Sequence, residues 1–180
     1  MIENIDATKV LFFDIETVSS AATYGDMPEV MQDLWKYKAR SILKRYNGEE
    51  ITDEEYAATY LDKAGIFAEF GKIVCISVGL VYRDKDSKQL QLRLKSYADR
   101  DEKKLLEGFS ELLSQYYDNP SKFYLCGHNI KEFDVPVVCR RMIVNGMRFP
   151  KMLDVAGKKP WETAHLLDTM QLWKFGDYKS

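Results

Sequence analysis

Val10-Leu11-Phe12-Phe13 runs directly into Asp14-Ile15-Glu16-Thr17. A short run that is apolar on both alternating faces predicts a central strand buried on both sides. Residues two apart in a strand share a face. Asp14 and Glu16 therefore project together from the end of this strand, with Ile15 turned away. Carboxylates so placed repel each other and are costly to desolvate. Bound Mg2+ or Mn2+ relieves both problems, because hard cations prefer oxygen ligands. The plain alternative is a strand ending in solvent with two ordinary acids, and a D-x-E pair alone does not decide between them.

The rest of the chain sets the context of that strand. Residues 19–65 read as a helical insertion: Asp26 is placed to cap a first helix with Pro28 in its opening turn, Asn47-Gly48 breaks the pattern, and Thr52 with Glu55 makes a capping box. Residues 72–82 are rich in β-branched side chains and read as a strand. After a turn at 83–87, residues 90–94 alternate as a half-exposed strand should. Asp99 with Glu102 signals a further helix start, and Leu105, Leu106, Phe109, Leu112, Leu113 and Tyr116 continue it at 3.6 spacing. A short strand at 123–126, a loop to Phe133, a helix over 135–144 ended by Gly146, a loop over 148–163, an apolar pair at Leu166-Leu167 and the first turns of a helix from Thr169 complete the order. A hairpin-linked trio of strands followed by alternating helix and strand predicts an α/β fold, a mixed sheet flanked by helices.

Bulk properties exclude little about the ligand. A formal net charge of −2 is a poor match to nucleic acid if spread evenly, but bound divalent ions supply local positive charge. Cys75, Cys126 and Cys139 lie in apolar runs without a C-x-x-C pair, which predicts buried thiols in a reducing compartment. The longest apolar stretch, 73–82, is far short of the ~20 residues that span a bilayer. The N-terminus lacks signal-peptide features. A cytoplasmic protein with no membrane partner is the expectation.

The second chemical feature is His128-Asn129-Ile130-Lys131-Glu132-Phe133-Asp134-Val135-Pro136. It occupies the loop after a strand and the start of a helix, where open α/β sheets place their sites. Taken singly, Asp134 reads as a helix N-cap and Asn129 as an Asx turn.

Taken together, F-F-D-I-E-T followed far downstream by N-x-x-x-F-D-x-P resembles the first two exonuclease motifs of family B DNA polymerases. The resemblance is closest to predicted stand-alone 3′–5′ exonucleases related to that domain, within the DnaQ-like, RNase H-like superfamily. Residues 69–77 (EFGKIVCIS) and 167–177 (LDTMQLWKFGD) are similar to the family's second strand and to its segment after the fifth. The resemblance implies an RNase H-like five-stranded sheet with a helical insertion after its first strand. It implies two-metal hydrolysis of phosphodiesters at a 3′ end, with Mg2+ or Mn2+ held by Asp14, Glu16 and Asp134. Thr17, Asn129 and Phe133 match positions near the bound 3′ end, so the implied partner is nucleic acid, single-stranded with a free 3′ end. Asp168 falls in a D-T pair read as structural.

The family's third motif, a Tyr or His four residues before an Asp, is missing after Asp134: His165-Leu-Leu-Asp168 has the wrong spacing. The expectation is one exonuclease-like domain over 1–180 that stops before this motif and is weakly active alone. The competing readings are a nucleic-acid-binding or scaffold module of the same fold without turnover, and an internally cutting RNase H-like nuclease. Other residues carry plainer readings. His128 and His165 lack zinc spacing, and His128 reads as a loop hydrogen-bonder. Arg140-Arg141 and Lys158-Lys159 read as solvated charge. Trp35, Trp161 and Trp173 read as core.

Overall fold

The computed structural model describes residues 5–45 and 48–177. The chain divides into two compact units, Met1–Glu16 with Val74–Ser180, and Thr17–Ile73. In the first lie most of β1 (Val10–Ser19) and β2 (Gly71–Arg83), then β3 (Leu90–Ala98), α3 (Glu102–Tyr116), β4 (Tyr124–Gly127), α4 (Asp134–Val144), β5 (Leu166–Asp168) and α5 (Thr169–Lys174). The five strands form one sheet in the order β3-β2-β1-β4-β5. β2 and β3 are antiparallel, while β1–β4 and β4–β5 are parallel. This is the expected mixed sheet with helices, consistent with an RNase H-like fold, and β1 is its middle strand. Among the described residues no helix is long and apolar enough to cross a membrane.

β1 is central, but it is not buried on both sides. Leu11, Phe13 and Ile15 are buried, and Phe13 packs against Phe109 of α3 with ring centroids 5.5 Å apart. Phe12 on the other face is 38% exposed. There Phe12 shares the surface with Gly79, Leu92 and Leu94 along an open groove of about 680 Å³. The alternation of β3 is legible in the sequence, yet Leu90, Leu92 and Leu94 are exposed because they lie along an uncovered face. An apolar run reports what a face can bury, not whether another element reaches it.

Two caps fall elsewhere than expected. α1 (Glu29–Ile42) begins after Pro28, and Asp26 instead accepts from the backbone N–H and hydroxyl of Thr23 at 3.0 and 2.8 Å. α3 is capped by Asp101, which accepts from Lys103 N at 3.0 Å. Glu102 is drawn away by a tertiary partner: Arg141 of α4 donates to it through Nε at 2.9 Å and Nη2 at 2.6 Å, and Asn145 adds a bond at 3.0 Å. Arg141 is thus a buried structural residue rather than solvated charge.

The second unit holds α1 and α2 (Asp53–Lys63), and the Thr52–Glu55 capping box opens α2 as expected. Its core is built on Trp35, fully buried, with Tyr60 and Phe70 edge-on at 5.2 and 4.9 Å and its indole N–H donating to Tyr56 O at 3.1 Å. The break expected at Asn47 lies outside the described residues. Trp161 and Trp173, expected in the core, are exposed.

Candidate active site

Alternation along β1 puts Phe12, Asp14 and Glu16 on one face, all exposed. Asp134 arrives from far along the sequence. It is 2% exposed, and its Oδ1 accepts the backbone N–H of Ile15 at 3.1 Å. Asp134 is therefore not the N-cap of α4; Phe133 holds that position, and Asp134 is the first helical residue. The bond seats its carboxylate against the strand between Asp14 and Glu16.

Burial pushes the Asp134 carboxyl up to about 6, and the charge of Asp14 acts in the same direction; hydrogen bonds from its own backbone N–H and that of Ile15 act against this. Asp168 also pushes upward. Among the described residues no Lys or Arg forms an ion pair with Asp14, Glu16 or Asp134. Crowded carboxylates without a cation suit a hard metal ion. Asn129 adds a second sign of the same kind, because its Oδ1 is buried without a partner. The donors fit an ion in kind, but among the described residues no group of three or more His, Cys, Asp or Glu side chains is gathered closely enough to form a complete ligand set.

The loop carrying Asn129 and Phe133 is held from β5. Asp168, 2% exposed, accepts from Asn129 N at 2.8 Å, Lys131 N at 3.2 Å and Met170 N at 3.0 Å. It thus caps α5 and clamps residues 129–131. Asn129 adopts φ +62° rather than a simple Asx turn, and its carbonyl accepts from Glu132 N and Phe133 N. Gly127 allows the approach of β4 to β1, since a Cβ there would fall 2.6 Å from Phe13 O and 2.1 Å from Ile130 Cγ2. Phe133 is half-buried beside Asp134. Thr17 is half-buried and belongs to the other compact unit.

Sequence reasoning missed how much Asp168 and Thr169 contribute. The Thr169 hydroxyl donates to Gly127 O at 3.1 Å and lies 3.1 Å from His128 Nδ1. The signal was a buried strand ending in Asp-Thr, which the D-T pair displayed without revealing its partners. His165 is buried, with Nε2 facing Met152 O at 3.0 Å, and its position excludes it from this site's groove.

A family model described as a predicted 3'-5' exonuclease related to the exonuclease domain of PolB matches residues 66–170, more than half of the chain. The matched span contains Asn129, Phe133, Asp134 and Asp168; Asp14, Glu16 and Thr17 precede it. No curated protein matches the chain.

Proposed function

The chain belongs to this family of predicted 3'-5' exonucleases, and on that premise we propose that it hydrolyses phosphodiester bonds at the 3′ ends of nucleic-acid single strands with the help of divalent cations. The observation that supports the reading is the bond from Ile15 N–H to Asp134, which joins residues 119 apart and ties that carboxylate to the backbone of the residue between Asp14 and Glu16. Asp14, Glu16 and Asp134 would hold Mg2+ or Mn2+, two ions in a complete site, and bound there such ions supply an activated water and stabilise the leaving oxygen. The carboxylates act as holders and do not themselves touch the substrate. Asn129 and Phe133, on the loop held by the Asp168 clamp, would receive the terminal nucleotide. Free cysteines, with Cys126 buried and its thiol pushed up by burial, fit a reducing, cytoplasmic setting.

The test is release of mononucleotides from a 3′-labelled single strand, compared with a blunt duplex and a circular strand. Mn2+- or Mg2+-dependent release from the linear single strand, lost in Asp14→Asn, is expected. Cleavage of the circle would replace the reading with an internally cutting nuclease. The incomplete ligand set favours a second reading, a nucleic-acid-binding module without turnover. Tight binding of the single strand without release of any nucleotide would establish it.

A further inference from the structure

Three side chains line one groove where the parallel pairing of β1, β4 and β5 ends. The β1–β4 register pairs Phe12 with Cys126, so two residues further on each strand reaches Asp14 and His128. The β4–β5 register pairs Gly127 with Asp168, so the next step brings Thr169 beside His128. Asp14, His128 and Thr169 all line the groove on the Phe12 face. The carboxyl ends of parallel strands are where such sheets do their chemistry.

The Thr169 hydroxyl orients the imidazole. The Thr169 hydroxyl has one hydrogen, and it goes to Gly127 O, which can only accept. The same oxygen is 3.1 Å from His128 Nδ1. Two acceptors cannot bond, so Nδ1 carries a ring hydrogen, and the tautomer that keeps this contact presents the lone pair of Nε2. Among the described residues no partner takes that lone pair. His165 is the opposite case: its Nε2 faces a carbonyl and carries the hydrogen, and burial holds the ring neutral by lowering its pKa.

We propose that His128 is a catalytic residue whose Nε2 accepts a hydrogen from the water that attacks phosphorus beside Asp14. This rests on the exonuclease reading and adds a residue to it. In the step, the water oxygen bonds to phosphorus and the bond to the leaving 3′ oxygen breaks. That oxygen keeps the electron pair and takes a proton from solvent. The proton released by the water passes to solvent, with Nε2 as its first acceptor. Thr169 and the Gly127 carbonyl hold the ring so that its acceptor faces the groove.

Two variants separate acceptor from scaffold. In His128→Asn the amide N–H replaces Nδ1–H toward Thr169 but nothing replaces Nε2. In His128→Gln the amide oxygen reaches the Nε2 position. Single-turnover release with Mn2+ should slow about 10²-fold in His128→Asn, the lower range for a positioned proton acceptor, and less in His128→Gln, with unchanged affinity for the single strand in both. Independently of metal and activity, long-range proton–nitrogen NMR of the wild type should show the two histidines as opposite tautomers, with His128 protonated at Nδ1. An Nε2–H tautomer at His128, or His128→Asn releasing nucleotides at the wild-type rate, would overturn the proposal. So would weakened strand affinity with an unchanged single-turnover rate, which would make His128 a substrate contact. Those outcomes leave the exonuclease reading intact if the wild type cuts; a wild type that releases nothing overturns both.

Discussion

Asp134 at the start of α4 and Asp168 at the end of β5 are equally buried, each 2% exposed, and they are used in opposite ways. Asp168 receives N–H groups from Asn129, Lys131 and Met170, two chain segments tied by one carboxylate. Asp134 receives Ile15 N–H from outside its helix and is left beside Asp14, whose charge opposes its ionisation. A buried carboxylate saturated with donors builds structure. One crowded by a like charge and lacking a cation costs stability, and such costs concentrate at functional sites. The family D-T aspartate and the motif aspartate look alike as letters; their surroundings separate them.

The sharpest way to break this contrast is to remove each carboxylate in turn. Asp168→Ala leaves three backbone N–H groups without their acceptor, and should lower unfolding free energy by on the order of 3 kcal/mol. Asp168→Asn should cost less, because its oxygen can still serve one side of the clamp. Denaturant unfolding measures both, and a neutral Asp168→Ala would show that the clamp does not hold the loop.

Asp134→Asn should do the reverse in metal-free protein, raising stability at pH 7 by on the order of 2 kcal/mol. The amide can still accept Ile15 N–H while the charge repelled by Asp14 is gone. The sign follows from linkage: the folded-state value, about 6, lies above the ordinary 3.8, so the folded protein binds the proton more tightly. Wild-type stability therefore falls as pH rises from about 4 to about 6, and the advantage of Asp134→Asn should vanish near pH 4. Stability curves that stay parallel over that window would show that Asp134 is not strained in the folded state.

The smallest effect is expected at Thr169→Val. It removes the hydroxyl between Gly127 O and His128 Nδ1, a loss of about 1 kcal/mol in the same unfolding assay. A much larger loss would mean that Thr169 shares the structural role of Asp168.

These contrasts mark where sequence reading stops. The β1 pattern, the 3.6 spacing of α3 and the Thr52–Glu55 box are legible because each is a local periodicity or a local bond. Asp26 and Asp99 read as caps but are not, since runs of acids offer several cap positions and tertiary demand on Glu102 removes one of them. The leucines of β3 and Phe12 read as buried because apolarity is visible in a sequence and coverage is not. For the site, Asp14 and Glu16 share a face by strand geometry alone. The seating of Asp134 against Ile15 and the ring orientation of His128 come from contacts across 119 and 41 residues, which no spacing rule contains.

The most direct test of the central claim, that Asp14 and Asp134 together form a divalent-cation site, is calorimetric titration of Mn2+ into the wild type, Asp14→Asn and Asp134→Asn, with Asp168→Asn as the buried-carboxylate control. Weakened Mn2+ binding in the first two variants, with the control close to wild type in affinity, is the predicted result. Equal affinity in all four proteins would contradict it and remove both carboxylates from the site.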